Sequence, residues 1–125
     1  MTAYFPNLSA AEMKQSEDNL QIACVNWFRY QYQQHLIYHS PNGGKRNARE
    51  AVKFRQMGVV SGVPDLFIAV ARKGYHGLYI ELKIGKNKPT ENQQEVMSKL
   101  IKAGYKCNVV HSIDEFMKTV NDYLL

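Results

Sequence analysis

Two carboxylates and a lysine, Asp65, Glu81 and Lys83, lie on or beside apolar runs that otherwise suit β-strands. Leu66 to Val70 and Leu78 to Ile80 are rich in strand formers. Arg72 to Gly77, between them, carries two glycines and predicts a turn. Two strands joined in this way form an antiparallel hairpin. A turn centred near Lys73 and Gly74 sets Asp65 opposite Glu81 or Leu82. Side chains alternate along a strand, so Glu81 and Lys83 share one face while Leu78, Ile80 and Leu82 take the other. Asp65 then joins the Glu81 and Lys83 face. Acids facing each other across a sheet repel. A hard divalent cation, Mg2+ or Mn2+, removes that objection, because such ions accept a few carboxylate oxygens and retain waters. The ion would acidify a bound water and neutralise phosphate charge. Lys83 would orient the attacking water or offset developing negative charge. The bland alternative is a surface Glu-Lys pair and an unrelated loop aspartate.

The elements that must position these groups can be read from spacing. Ser9 to Glu12 fits a capping box that opens a helix, with an apolar stripe of Leu20, Cys24 and Trp27 or Phe28. Glu17 lies one turn before that stripe. Burying an unpaired charge is costly, so on these grounds alone it reads as solvated beyond the core. Leu36 to Tyr38 predicts a short strand, closed by the turn signal Pro41-Asn42-Gly43-Gly44. Gly44-Lys45 is not a Walker loop, since His39 stands where the earlier glycine is required. Asn47 to Met57 predicts a basic amphipathic helix with Ala48, Ala51, Val52 and Phe54 on its apolar side. Gly58 ends it, and Val59 to Pro64 leads into the hairpin. Thr90 to Gln93 is a second capping box, opening a helix to about Ala103 with Val96, Leu100 and Ala103 as its core stripe. Gln93 faces inward, so cap and site remain two readings for it. Lys106 to Val110 predicts a strand, and Ser112 starts a closing helix to about Leu124. This alternation predicts an α/β fold, a mixed central sheet flanked by helices.

The chain has 125 residues, 45% hydrophobic and 22% charged, which suits one domain with a single core. No run approaches a membrane span, and the N-terminal residues lack a signal-peptide pattern, so no membrane role and a cytoplasmic location are expected. Cys24 and Cys107 form no Cys-x-x-Cys pair, which argues against zinc or disulfides and for two small apolar core residues. The histidines lack the other ligands of a zinc site, and packing is the expected role for all four. Net charge is +5, and from Lys45 to Lys106 there are thirteen Lys or Arg against five acids. Such a segment either attracts a nucleic-acid polyanion or is a lysine-rich solvated face. Lys45, Arg46, Arg49, Lys53, Lys86 and Lys88 are the candidate DNA contacts. With these flanks, the Asp65, Glu81 and Lys83 cluster reads as metal-assisted hydrolysis of a nucleic-acid backbone.

Pro64-Asp65, a spacer and Glu81-Leu82-Lys83 resemble the PD-(D/E)XK nuclease motif. The wider set is similar to the virus-type replication-repair nuclease (VRR-NUC) domain: Glu17 before Leu20-Gln21, Pro41 to Gly44, Met57-Gly58, Gly62 to Leu66, Gly77 to Lys83, and Gln93. The resemblance spans about Glu17 to Val110. It implies a restriction-endonuclease-like fold over residues 1–125 in which Asp65, Glu81 and the Leu82 carbonyl hold Mg2+ or Mn2+. Lys83 would be the catalytic lysine. Glu17 gains a place at the metal, and Gln93 gains a site role beside its cap. No small-molecule cofactor is implied. Stand-alone bacterial and phage members imply a homodimer acting on branched DNA such as four-way junctions. Two further readings compete: a module that recognises DNA shape without cutting it, and a purely structural or protein-interaction domain.

Overall fold

The computed structural model of the chain describes residues 16–41 and 47–125. Within them the order is α1 (Glu17–Gln31), β1 (Ile37–His39), α2 (Ala48–Gln56), β2 (Leu66–Ile68), β3 (Leu78–Leu82), α3 (Glu91–Lys102), β4 (Lys106–Val110) and α4 (Ile113–Leu124). The four strands make one mixed sheet in the order β1-β2-β3-β4, flanked by the four helices. β1, β2 and β3 are antiparallel neighbours, whereas β4 runs parallel to β3 after the α3 crossover. The expected α/β fold is the one observed.

Each helix begins where a side chain can accept a free backbone N–H. Ser16 accepts from Asn19, Asn47 from Glu50 and Ser112 from Glu115. α3 carries a full capping box, with Thr90 and Gln93 bonded reciprocally. The cap expected at Ser9 lies outside the described residues; within them, α1 starts at Glu17, whose carboxylate and that of Asp18 suit the positive end of the helix dipole.

The core lies between one face of the sheet and the pair α1 and α4. Cys24 and Phe28 from α1, Leu66 and Ile68 from β2, Leu78, Ile80 and Leu82 from β3, and Phe116 and Val120 from α4 are all fully buried. Each large apolar side chain so buried contributes roughly 1.5–3 kcal/mol. Phe28, rather than Trp27, is the fully buried member of the α1 stripe; Trp27 packs edge-on against Phe116 at 5.8 Å between ring centres. Tyr123 donates its hydroxyl to the Val70 carbonyl at 2.7 Å, so its polar end is satisfied inside the core.

Three expected details differ. No residue of α2 is buried: of its expected apolar side Ala51 and Phe54 are half-buried, while Val52 is 45% exposed. On α3 the buried residue is Met97, while Ala103 is exposed and Val96 and Leu100 are only partly covered. α3 packs chiefly on β4, at the sheet's edge, so a narrower stripe suffices. Cys107 is half-buried there, its thiol 3.9 Å from the Met97 carbonyl.

The loop that delivers Asp65 is held by a close approach. Gly62 has φ +92°, and a Cβ there would lie 2.7 Å from Asn92 Nδ2. Asn92 itself donates to Ser61 Oγ at 3.0 Å. Gly62→Ala is therefore expected to lower stability by about 2 kcal/mol, from left-handed backbone strain and the displaced Asn92. A urea-unfolding midpoint that falls at unchanged slope would show it.

Candidate active site

β2 and β3 pair Leu66 with Ile80, Phe67 with Tyr79 and Ile68 with Leu78. Continuing that ladder by one step sets Asp65 opposite Glu81. The tight turn, in which Arg72 bridges Tyr75 and both Lys73 and Gly74 have positive φ, would by itself set Asp65 opposite Leu82. One residue is absorbed between turn and ladder, and this resolves the two alternatives in favour of Glu81. Asp65 still reaches Leu82, since its Oδ2 accepts the Leu82 N–H at 2.7 Å. A carboxylate thus continues the pairing where the backbone ladder has ended.

Glu81 is 2% exposed and Lys83 8%, the two buried charged residues among those described. Leu78, Ile80 and Leu82 point to the core on the opposite face, as alternation requires. Lys83 Nζ lies 3.9 Å from Glu17 Oε1, an ion pair between the end of β3 and the first turn of α1. Burial raises the Glu81 carboxyl to a pKa of about 8, helped by the charge of Asp65, a hydrogen bond to Asp65 and the charge of Glu17; Lys83 opposes the shift. At neutral pH a proton therefore joins the two acids, which removes the repulsion that adjacent carboxylates would feel. Glu81 Oε1 is nevertheless buried without a hydrogen-bond partner.

The donor set suits a hard cation in kind: an unpartnered buried carboxyl oxygen beside a second carboxylate. It does not form a three-ligand cluster. Among the described residues no group of three or more His, Cys, Asp or Glu side chains converges, and Glu17 meets the others through Lys83. Of the other candidates, Gln93 uses its Oε1 to accept the Thr90 N–H at 2.9 Å, so its carbonyl end serves the cap. Arg49 and Lys53 on α2, and Lys86 and Lys88 in the loop after β3, are exposed, in contrast to the buried Glu81 and Lys83. Lys45 and Arg46 lie outside the described residues.

One neighbour of the site goes beyond the expected packing role. His39 Nδ1 is 2.8 Å from the Asp65 carbonyl oxygen, at the end of β1. Pairing β1 with β2 would have brought His39 next to Asp65, but a three-residue strand carries no signal for its own register.

A mixed four-stranded sheet with paired acids and a buried lysine at one end of its central strands defines a nuclease-type α/β core. The chain belongs to the VRR-NUC domain family, whose family model matches residues 8–114. A solved VRR_NUC domain protein is 36% identical, with 89% of each chain covered and a TM-score of 0.74. Another VRR_NUC domain structure, 21% identical with 86% of this chain and 96% of that one covered, shares the fold at a TM-score of 0.57. No curated protein matches the chain. Family membership makes this a nuclease-type, DNA-processing domain. No helix among the described residues is long and apolar enough to cross a membrane.

The raised Glu81 pKa fixes a pH dependence. The folded protein holds this proton up to about pH 8, the unfolded chain only to its ordinary value near 4.5. The stabilisation is fully present below about pH 4.5 and is lost as pH rises through 8. In the absence of divalent metal, the melting temperature should fall between pH 5 and 8 more steeply in wild type than in Glu81→Gln. Parallel curves for the two proteins would refute a raised Glu81 pKa.

Proposed function

We propose that the chain is a Mg2+- or Mn2+-dependent endodeoxyribonuclease that hydrolyses phosphodiester bonds in branched DNA, such as four-way junctions, and works as a homodimer. The observation that carries this reading is the meeting of Asp65 and Glu81 beside the buried Lys83, in a chain of the VRR-NUC family.

Asp65 and Glu81 would hold the cation, with the Leu82 carbonyl and Glu17 completing its protein ligands. When bound, the ion supplies a more acidic water and neutralises phosphate charge. Glu81 must release its proton to become a ligand, so cation binding and proton loss are linked. Glu17, paired with Lys83 at 3.9 Å, would be within the same cluster to serve as a further ligand. Lys83 then offers its ammonium to the attacking water or to the phosphoryl oxygens as they gain charge. Its burial strengthens that interaction, because little water screens it. The water oxygen bonds to phosphorus as one phosphoester bond breaks, and the departing oxygen takes up a proton. Gln93, at the start of α3, would bear on the site from the end of its capping box. Arg49, Lys53, Lys86 and Lys88, with Lys45 and Arg46, would grip the backbone through salt-sensitive phosphate contacts. A two-fold dimer would match the two-fold symmetry of a four-way junction.

Cleavage of four-way junctions, flaps, single strands and duplexes with Mg2+ or Mn2+, run beside a solution mass, tests the proposal. Junctions should be cut fastest, by a dimer, and the metal requirement should relax as pH approaches 8. Asp65→Ala and Lys83→Ala should each reduce the rate by at least about a thousandfold, the scale of losing a charged group from such a centre. Unchanged cleavage in either variant would overturn these roles. Tight, salt-sensitive binding without cleavage under any metal would leave a DNA-recognition module instead.

A further inference from the structure

We propose that His39 is a positioning residue that fixes the backbone of Asp65, and through it the aim of the Asp65 carboxylate. The inference deepens the nuclease reading and rests on it for the effect on cleavage. Its structural half stands independently.

β1 ends its ladder with β2 at the pair His39 and Leu66, and the next hydrogen bond runs from Ser40 N to the Asp65 carbonyl at 3.0 Å. Pro41 follows and has no N–H with which to extend the ladder. Pro64, immediately before Asp65, likewise lacks a donor. The Asp65 carbonyl has a second lone pair, and His39 Nδ1 occupies it at 2.8 Å. Because the partner is a carbonyl, Nδ1 must carry the proton, which fixes the tautomer and leaves Nε2 as the deprotonated nitrogen of the neutral ring.

Asp65 is consequently pinned at two ends. Two donors from the β1 terminus hold its carbonyl, and the Leu82 N–H holds its Oδ2. Removing the imidazole leaves the Asp65 carbonyl with one bond, from Ser40 at the end of the edge strand β1, where ladders fray most readily. The carboxylate would then wander relative to Glu81, while no core cavity opens, because His39 is itself exposed at the end of its strand. Misplacement of a reacting group by about 1 Å is enough to slow an enzyme roughly a hundredfold. Neither the motif nor its spacing contains His39, and the histidine acts through Asp65 rather than on the substrate.

Amide geometry separates this role from any chemistry at Nε2. In Asn the side-chain nitrogen can occupy the place of Nδ1, whereas in Gln it reaches the place of Nε2. His39→Ala, His39→Asn and His39→Gln, each in the full chain, should be compared in two measurements. The first is exchange protection of the Leu82 amide. In His39→Ala and His39→Gln it should fall about tenfold relative to the Ile80 amide, and His39→Asn should restore it. The second is the Mn2+ concentration that half-activates cleavage. It should rise severalfold in His39→Ala and His39→Gln with little change in melting temperature, and return in His39→Asn. Unaltered Leu82 protection in His39→Ala would overturn the proposal, and so would rescue by Gln but not Asn. If wild type cuts nothing, the nuclease reading fails, while the exchange measurement still decides whether His39 positions Asp65.

Discussion

The hydrogen bond from the Leu82 N–H to Asp65 Oδ2 is the constraint on which the site depends. β2 and β3 are short, and their backbone pairing ends at Leu66 and Ile80. Beyond that point nothing in an antiparallel ladder obliges the chain to stay close. By taking up the Leu82 donor, the Asp65 side chain prolongs the contact by one step and brings its carboxyl group against Glu81. The same bond satisfies an N–H that would otherwise lie unpaired next to a fully buried leucine. Register, strand divergence and the pairing of acids are therefore linked: shifting the hairpin by one residue would exchange the core and site faces of β3.

That linkage is sustained by the asymmetry of β3. Leu78, Ile80 and Leu82 insert fully into the α1 and α4 core, together contributing several kcal/mol of burial. They anchor a strand whose opposite face carries Glu81 and leads to Lys83, groups that cost free energy to bury. The parallel partner β4 adds a second restraint, since Lys83 N donates to the Val110 carbonyl at 3.0 Å. The destabilising residues thus sit on the element best able to hold them still, as a preorganised centre requires.

Much of this was legible in the sequence because it rests on short-range rules. Period-two alternation identified the two faces of β3, and the Lys73-Gly74 turn located the hairpin to within one residue. Thr90 with Gln93, and Ser112, announced the starts of α3 and α4 through local capping chemistry. What could not be read depends on contacts between elements distant in sequence. The residue absorbed beyond the turn decided between Glu81 and Leu82. Met97 is buried in preference to Ala103 because of how α3 meets β4. The periodicity of α2 is sound, yet its apolar side is at most half-buried among the described residues. The helical stripe alone places Glu17 in solvent and only the family resemblance brings it to the site; its ion-pair partner, Lys83, lies far along the chain on a different element.

Charge balance explains why the resting arrangement and the proposed working one must differ. Asp65, Glu81 and Glu17 bring three acidic groups to a region with one buried ammonium, Lys83. The fold closes part of that imbalance by keeping Glu81 protonated and by pairing Glu17 with Lys83. A phosphodiester would add another negative charge and needs Lys83 for itself, so neither adjustment suits a substrate complex. In the proposed working state Asp65 and deprotonated Glu81, with Glu17, would hold a divalent ion whose charge would balance the acids, and Lys83 would be free to face the phosphate. The exposed basic residues cannot substitute for the ion, because charges held in water are screened over about 8–10 Å and lie outside the buried pair. Their place in the proposed reaction is to hold the nucleic-acid backbone, and the buried cluster alone must settle the charge at the bond to be broken.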